Sequence, residues 1–274
     1  MITEKFKKVF PNGKAIIGMV HVGALPGTPL YDRKRGLEGL VDDALADAKK
    51  LVEAGVDGIQ IENQWDRPFL KANEIGPEVV SVLTHITTLI GQLSSIPLGM
   101  NVHLNACNHA MAIAKATNCK WIRAFELANG YISNSGYVDA AGPQLMRYRS
   151  MIDADDIMVF GDFQVKHGSH AITSDRTVIE KAHDIEAFLG DAAIITGLST
   201  GNPPDGKSCD GVHKELGIPL LIGSGLSSDN IQTLWPYVDG AVIGSSFKVN
   251  GVLSNPIDKE RVERFIDKAR KLEK

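Results

Sequence analysis

Five ionisable side chains stand in or just beyond short apolar runs: His21 in IIGMVHV, Glu62 in GIQIEN, His103 in GMNVHL, and Asp162 and Lys166 in VFGDFQVK. Carboxylate, imidazole and ammonium groups brought together from separate strands can remove a proton beside a carbonyl and stabilise the oxyanion that forms. Glu62 carries the strongest signal, because an inward carboxylate in an apolar strand costs several kcal/mol unless it is paired or wetted. Lys166 could act as a counter-ion to phosphate or carboxylate, as a proton-transfer base, or as a Schiff-base nucleophile if desolvation lowers its pKa. His21, Glu62, His103 and Asp162 also form a set that could hold a divalent ion. No HxH or HExxH spacing supports that reading, and no metal site is assigned.

A second kind of chemistry is written in residues 220–251, LLIGSGLSSDNIQTLWPYVDGAVIGSSFKVNG, where two apolar runs each stop at a glycine-serine motif. Gly223, Ser224 and Gly225 end the first run, and Gly244, Ser245 and Ser246 end the second. A phosphate held by the backbone N–H groups of two neighbouring loops would explain the repeat. Glycine lets the main chain approach the anion, and serine adds a hydroxyl donor. Ser227, Ser228 and Asp229 offer caps for a short helix after Gly225. The loop GLSTGNPPDG, residues 197–206, brings the hydroxyls of Ser199 and Thr200 and reads as a lid over such a phosphate.

Positioning these groups requires strands that end on one face of a sheet. Eight apolar runs fit: residues 15–22, 57–63, 97–104, 120–126, 157–166, 192–197, 219–225 and 240–246. Amphipathic segments alternate with them, such as LEGLVDDALADAKKLVEAG with Gly55 at its C-cap, and IDKERVERFIDKARKLEK closes the chain. Eight strand-helix pairs predict a (β/α)8 barrel, a single domain over residues 1–274, in which the last two strands and their loops lie side by side. The period of two then sends Gln60 and Glu62 inward and Ile59 and Ile61 outward, and separates Asn101 and His103 from Met100, Val102 and Leu104. Asp162 and Lys166 are about 13 Å apart if the strand runs through both, so the short strands elsewhere favour a strand that ends near Asp162. Arg123 reads either as a substrate contact or as an ion partner for Glu126 or another nearby acid.

Composition removes several function classes. The 274 residues are 43% hydrophobic with a formal charge of −4, and no basic cluster is long enough to track nucleic acid. The segment MITEKFKKVF lacks the apolar stretch of a signal peptide and no run reaches the length of a membrane span, so the expected location is the cytoplasm. Cys107, Cys119 and Cys209 form no CxxC pair, which argues against a disulfide framework or a zinc cluster. Oligomeric state stays open, a homo-oligomer included.

The segments MVHVGALPGTP, DGIQIEN followed by RPF, GMNV, VKH, TGLSTGNPPDG, GSGLSSDN and IGSSFKVNGVLSNPIDKERV resemble, in order and over nearly the whole chain, the BtpA-like family. The resemblance implies a phosphate-binding TIM barrel. The family takes its name from a role in photosystem I accumulation. The sequence departs from the family pattern at HLNA, residues 103–106, and at AFE, residues 124–126, where substrate choice would be shaped. The function expected from these residues is an enzyme acting on a small phosphorylated metabolite, a sugar phosphate first of all, by aldolase or lyase, isomerase or epimerase chemistry. Glu62, Asp162, Lys166 and His21 would be catalytic, with Asn101, His103, Arg123, His167, Ser199 and Thr200 as substrate contacts. Two alternatives stand beside it: a noncatalytic assembly or stability factor, and a flavin barrel that hangs flavin mononucleotide from the same glycine loops. The cofactor is left unknown.

Overall fold

The computed structural model describes residues 2–197 and 203–273, so Ser199 and Thr200 and half of the expected lid lie outside the described residues. All eight expected strands are present: β1 (Ala15–His21), β2 (Gly58–Glu62), β3 (Leu98–Asn101), β4 (Trp121–Ala124), β7 (Met158–Asp162), β8 (Ala192–Ile195), β9 (Leu220–Ile222) and β10 (Gly240–Ile243). They close into a parallel barrel in the order β1, β10, β9, β8, β7, β4, β3, β2. Two further strands, β5 (Tyr131–Ser133) and β6 (Gly136–Val138), form an antiparallel hairpin after β4. The strand through VFGDFQVK stops at Asp162, which leaves Lys166 in the loop above it.

The barrel is packed from within by Ile17, Met19, Trp121, Met158, Phe160, Ile194, Leu221 and Val242. Trp121 fills so much of this space that a Cβ on Gly99 would lie 2.0 Å from its ring. Its indole donates to Gln60 Oε1 at 3.2 Å, which satisfies one polar atom of an inward glutamine. The floor is closed by α1 (Glu4–Val9), an element too short to show a helical period in the sequence. Phe6 of α1 and Phe10 just beyond it stack toward Phe160 and Trp121.

Helices α2 (Gly36–Ala54), α3 (Pro77–Leu93), α4 (Cys107–Thr117), α5 (Gly142–Met151), α6 (Val178–Ala187), α7 (Gly206–Glu215), α8 (Ile231–Leu234) and α9 (Lys259–Leu272) surround the strands. Ile59, Ile61, Met100, Ile122, Val159, Ala193 and Ala241 face them, which is the outward parity of the same strands. Gly55 ends α2 in the left-handed conformation, with φ of 85°, as the sequence signal requires. The segment after β9 differs from expectation. Its helix α8 has only four residues and begins at Ile231, with Asn230 at the N-cap position and no side-chain cap bond, while Ser227 Oγ accepts from Asp229 N at 3.2 Å in the turn before it. Asn230 holds the loop instead: its amide donates to the Gly225 carbonyl at 2.8 Å and accepts from Ser227 N at 2.8 Å.

Candidate functional site

The C-terminal ends of the strands open onto a cavity of 420 Å³ that includes His21, Glu62, His103, Arg123, Lys166 and both glycine-serine loops in its wall. Strand register sets its floor, because His21 of β1 is the partner of Glu62 of β2, and Glu62 is the partner of Asn101 of β3. Glu62 is 4% exposed. It sits between two imidazoles, with His21 Nε2 and His103 Nε2 each 3.6 Å from Glu62 Oε1. The Gln64 amide nitrogen, turned toward the carboxylate, donates to the same oxygen at 2.8 Å. Glu62 Oε2 is buried and has no partner among the described residues.

Charge at the floor follows from these neighbours. Burial pushes the Glu62 carboxyl up, but His103, His21 and Arg123 together outweigh it and bring the carboxyl down to about 2. Burial dominates at His21 and lowers it to about 3, with Lys248, Lys166 and His103 adding to the effect against Glu62. At neutral pH the floor is therefore a carboxylate beside a neutral His21 imidazole. His103 is held in place by its backbone, which donates to Asn63 Oδ1 at 2.8 Å. Its ring lies between Phe69, stacked at 4.2 Å, and Phe125 at 4.6 Å.

Asp162 is not a free carboxylate. Both of its oxygens accept from Arg123, at 2.7 and 2.8 Å, in a fully buried bidentate pair. Burial raises the Asp162 carboxyl, and the guanidinium opposes that rise. The nearby acid that Arg123 neutralises is Asp162 rather than Glu126, and the arginine still reaches the cavity wall. The pairing also engages both oxygens of Asp162, one of the four members of the set considered for a metal ion. Among the described residues no group of three or more His, Cys, Asp and Glu side chains is placed to hold one. Asn101 lies beneath the cavity and donates to the Arg123 carbonyl at 2.9 Å.

Lys166 reaches across to the first glycine loop, where Nζ is 3.3 Å from Ser224 Oγ. Burial, and then Arg123, lower its pKa against the pull of Glu62 and Asp162. His167 follows at the exposed rim in a left-handed conformation, with φ of 62°. The two loops themselves present main chain to the cavity: no acceptor among the described residues takes the backbone N–H groups of Ser224, Gly225, Ser245 or Ser246. Their glycines serve more than one purpose. A Cβ on Gly223 would lie 2.7 Å from Arg123 Nη2, and one on Gly244 would lie 2.9 Å from His21 Cε1. These two make room for site side chains, whereas Gly225 adopts a φ of 81°, a left-handed conformation that favours glycine.

The opposite wall was not anticipated as a unit. Gln64, Arg67 and Phe69 from the loop after β2, Phe125 after β4, and Tyr131, Ser133, Asn134 and Ser135 of the β5–β6 hairpin all line the cavity. The hairpin has a sequence signal in YISNSGYV, two short β-favouring runs around a turn that ends in Gly136 with φ of 92°. It is pinned by the Ile132 to Ser169 bridge and by Ser135 Oγ donating to the Phe69 carbonyl at 2.8 Å.

This arrangement defines a (β/α)8 barrel whose mouth has ionisable side chains at its floor and two glycine-serine loops on one side. The chain belongs to the BtpA family, whose sequence pattern matches residues 12–271. It is 34% identical to an uncharacterized protein of Archaeoglobus fulgidus over 94% of this chain and 99% of that one. It is 33% identical to the photosystem I biogenesis protein BtpA of a Synechocystis strain, over 95% and 89% of the two chains. A Caenorhabditis elegans relative, 30% identical over 92% of this chain and 91% of its own, is described as mitochondrial. Among solved structures, the fold is similar to thiamine phosphate pyrophosphorylase from Pyrococcus furiosus, with a TM-score of 0.59, 12% identity and coverage of 94% and 96%. Tryptophan synthase of Mycobacterium tuberculosis matches with a TM-score of 0.64, 14% identity and coverage of 98% and 99%. Among the described residues no helix is long and apolar enough to cross a membrane.

Proposed function

We propose that this protein is an enzyme acting on a small phosphorylated metabolite by removing a proton beside a carbonyl, the step shared by aldolase, isomerase and epimerase chemistry. The observation that carries the reading is the set of N–H groups of Ser224, Gly225, Ser245 and Ser246, which find no acceptor among the described residues, in the same cavity as a buried carboxylate. Two loops of main-chain donors suit a phosphate, whose charge and oxygens satisfy several N–H groups at once. The similar fold of a thiamine phosphate pyrophosphorylase agrees with a phosphorylated ligand.

In this reading Glu62 is the base. Its Oε2, which has no partner among the described residues, is the atom that takes the proton, and the neutral His21 and the His103 ring keep the carboxylate oriented toward the cavity. Lys166, between Glu62 and the phosphate loops, supplies the positive charge for the developing oxyanion or forms a Schiff base with the carbonyl. Asp162 acts through Arg123, fixing the guanidinium beside the site rather than taking a proton itself.

The deciding experiment is a thermal-shift screen against phosphorylated metabolites, with inorganic phosphate as the reference. Stabilisation by phosphate esters that is competed by inorganic phosphate is expected. A complete absence of shift with every phosphorylated compound would overturn the reading and favour a noncatalytic role for the barrel.

A further inference from the structure

The cavity has a second end whose chemistry differs from the first. In the closed strand order, β4 stands diametrically across from β10, and β3 across from β9. The loops on that far side carry a small apolar cluster of Leu104, Phe125, Tyr131, Val138 and Val165, with Phe69 packed against it. This cluster is separate from both the barrel interior and the layer beneath the helices. Seating the hairpin explains Val138. It does not explain why Phe69, Leu104, Phe125, Tyr131 and Val165 all reach the wall of the cavity.

A polyhydroxylated chain laid against such a wall would leave hydroxyl groups without partners, whereas a ring would replace water on apolar surface. Size agrees with the larger occupant, since 420 Å³ falls within the roughly 300–1,000 Å³ of sites that enclose drug-sized ligands. Between the two ends lies the buried Glu62 Oε2, an acceptor with no partner among the described residues, which calls for a donor on the ligand.

We propose that the site takes a phosphate monoester bearing an aromatic or heteroaromatic ring. The phosphate lies on the loops after β9 and β10, an O–H or N–H group meets Glu62, and the ring rests against Phe69, Phe125 and Leu104. This substrate class rests on the phosphate-binding function proposed above. Arg67, 5.6 Å from the centroid of Phe69, and Asn134 at the hairpin tip stand at the cavity wall for polar substituents on the ring.

Titration calorimetry with inorganic phosphate, glycerol 3-phosphate and 1-naphthyl phosphate separates the two ends. The full-length protein is expected to bind 1-naphthyl phosphate at least ~10-fold more tightly than glycerol 3-phosphate, through the added apolar burial. Phe69→Ala should shrink that ratio to about 3-fold or less while leaving inorganic phosphate affinity unchanged. Phe69→Leu should restore part of it, and serves as the readout if the alanine variant fails to fold. Tight binding of inorganic phosphate and glycerol 3-phosphate without any preference for the naphthyl ester would overturn the ring subsite alone. A preference that both Phe69 variants leave intact would do the same. Failure of all three compounds to bind would instead remove the phosphate reading, and the substrate class with it.

Discussion

The two halves of the barrel mouth are built from different materials. On the β9 and β10 side the cavity meets main chain: N–H groups with no acceptor among the described residues, serine hydroxyls and glycines that keep the surface thin. On the β2, β3 and β4 side it meets rings, in a ladder that runs from Arg67 over Phe69 to His103, then Phe125 and Arg123. Main chain recognises what every phosphate shares, because N–H donors read charge and oxygen geometry and nothing beyond. Rings and a hairpin inserted from one loop recognise what differs between ligands. Under the proposed function, common anchoring falls to one wall and discrimination to the other.

The largest effect is expected where a charge enters the anchoring wall. Gly225→Asp puts a carboxylate against the bound anion, and two like charges about 4 Å apart near a protein surface repel by about 4 kcal/mol, or roughly 10³-fold in affinity. Aspartate tolerates the left-handed φ of 81° better than most residues, so the barrel should survive, as circular dichroism would show. Calorimetry with inorganic phosphate reads the loss. Retained affinity in the folded variant would move the anion elsewhere in the cavity.

Glu62→Gln comes next. If its Oε2 is the proton acceptor, exchange of substrate hydrogen with deuterated solvent should fall by about 10²–10⁴-fold, the usual contribution of a positioned base. Binding of phosphate esters should change little. Undiminished exchange in the variant would take the base away from the floor and return Lys166 to that role.

The contrast between the walls also explains what the sequence disclosed. All eight barrel strands were legible because strands buried on both faces read as continuous apolar runs between turn signals. The inward parity of Gln60, Glu62, Asn101 and Asp162 followed from the period of two, and the β9 and β10 loops stood out because their pattern is local. The ring wall was hidden for the opposite reason. Phe69, His103 and Phe125 meet across three separate loops, and the pairing of Arg123 with Asp162 joins residues 39 apart. No local spacing encodes such contacts. Helix α1 was too short for a periodic signal, and YISNSGYV carried a hairpin signal that the longer apolar runs overshadowed. Even the glycines were half read: Gly223 and Gly244 make room for Arg123 and His21, neighbours that only the closed barrel supplies.

The floor between the walls should report itself through pH. His21 is lowered from 6.5 to about 3, so below pH 6.5 the unfolded chain binds a proton that the native protein refuses. More protons on the unfolded state mean that stability rises with pH, here by about 1.4 kcal/mol per unit as pH climbs toward 6.5. Glu62, depressed from 4.5 to about 2, adds stability that is fully present above 4.5 and is lost as pH falls toward 2. Between pH 6 and 5 only the His21 contribution is active of the two. Urea unfolding at those two pH values should therefore show a loss of stability that is larger in the wild type than in His21→Asn by about 1.4 kcal/mol per unit. An identical slope in wild type and variant would mean that His21 is hydrated and charged, and that Glu62 has a cationic neighbour on that side.

The smallest expected effect tests how far the anchoring wall depends on side chains. Ser224 contributes both a backbone N–H and a hydroxyl, and the hydroxyl is 3.3 Å from Lys166 Nζ, at the long end for a hydrogen bond. Ser224→Ala removes the hydroxyl and leaves the N–H, the glycines and the loop backbone as they are. Hydrogen bonds of ordinary strength contribute about 0.5–1.5 kcal/mol net, so affinity for inorganic phosphate should fall by only about 3- to 10-fold. The preference for a naphthyl over a glycerol ester should not change, because the serine lies across the barrel from the rings. Calorimetry on the same three compounds measures both quantities in one series. A loss approaching the roughly 10³-fold expected for Gly225→Asp would show that the serine hydroxyl and its lysine hold the anion, and the division between a main-chain wall and a side-chain wall would fail.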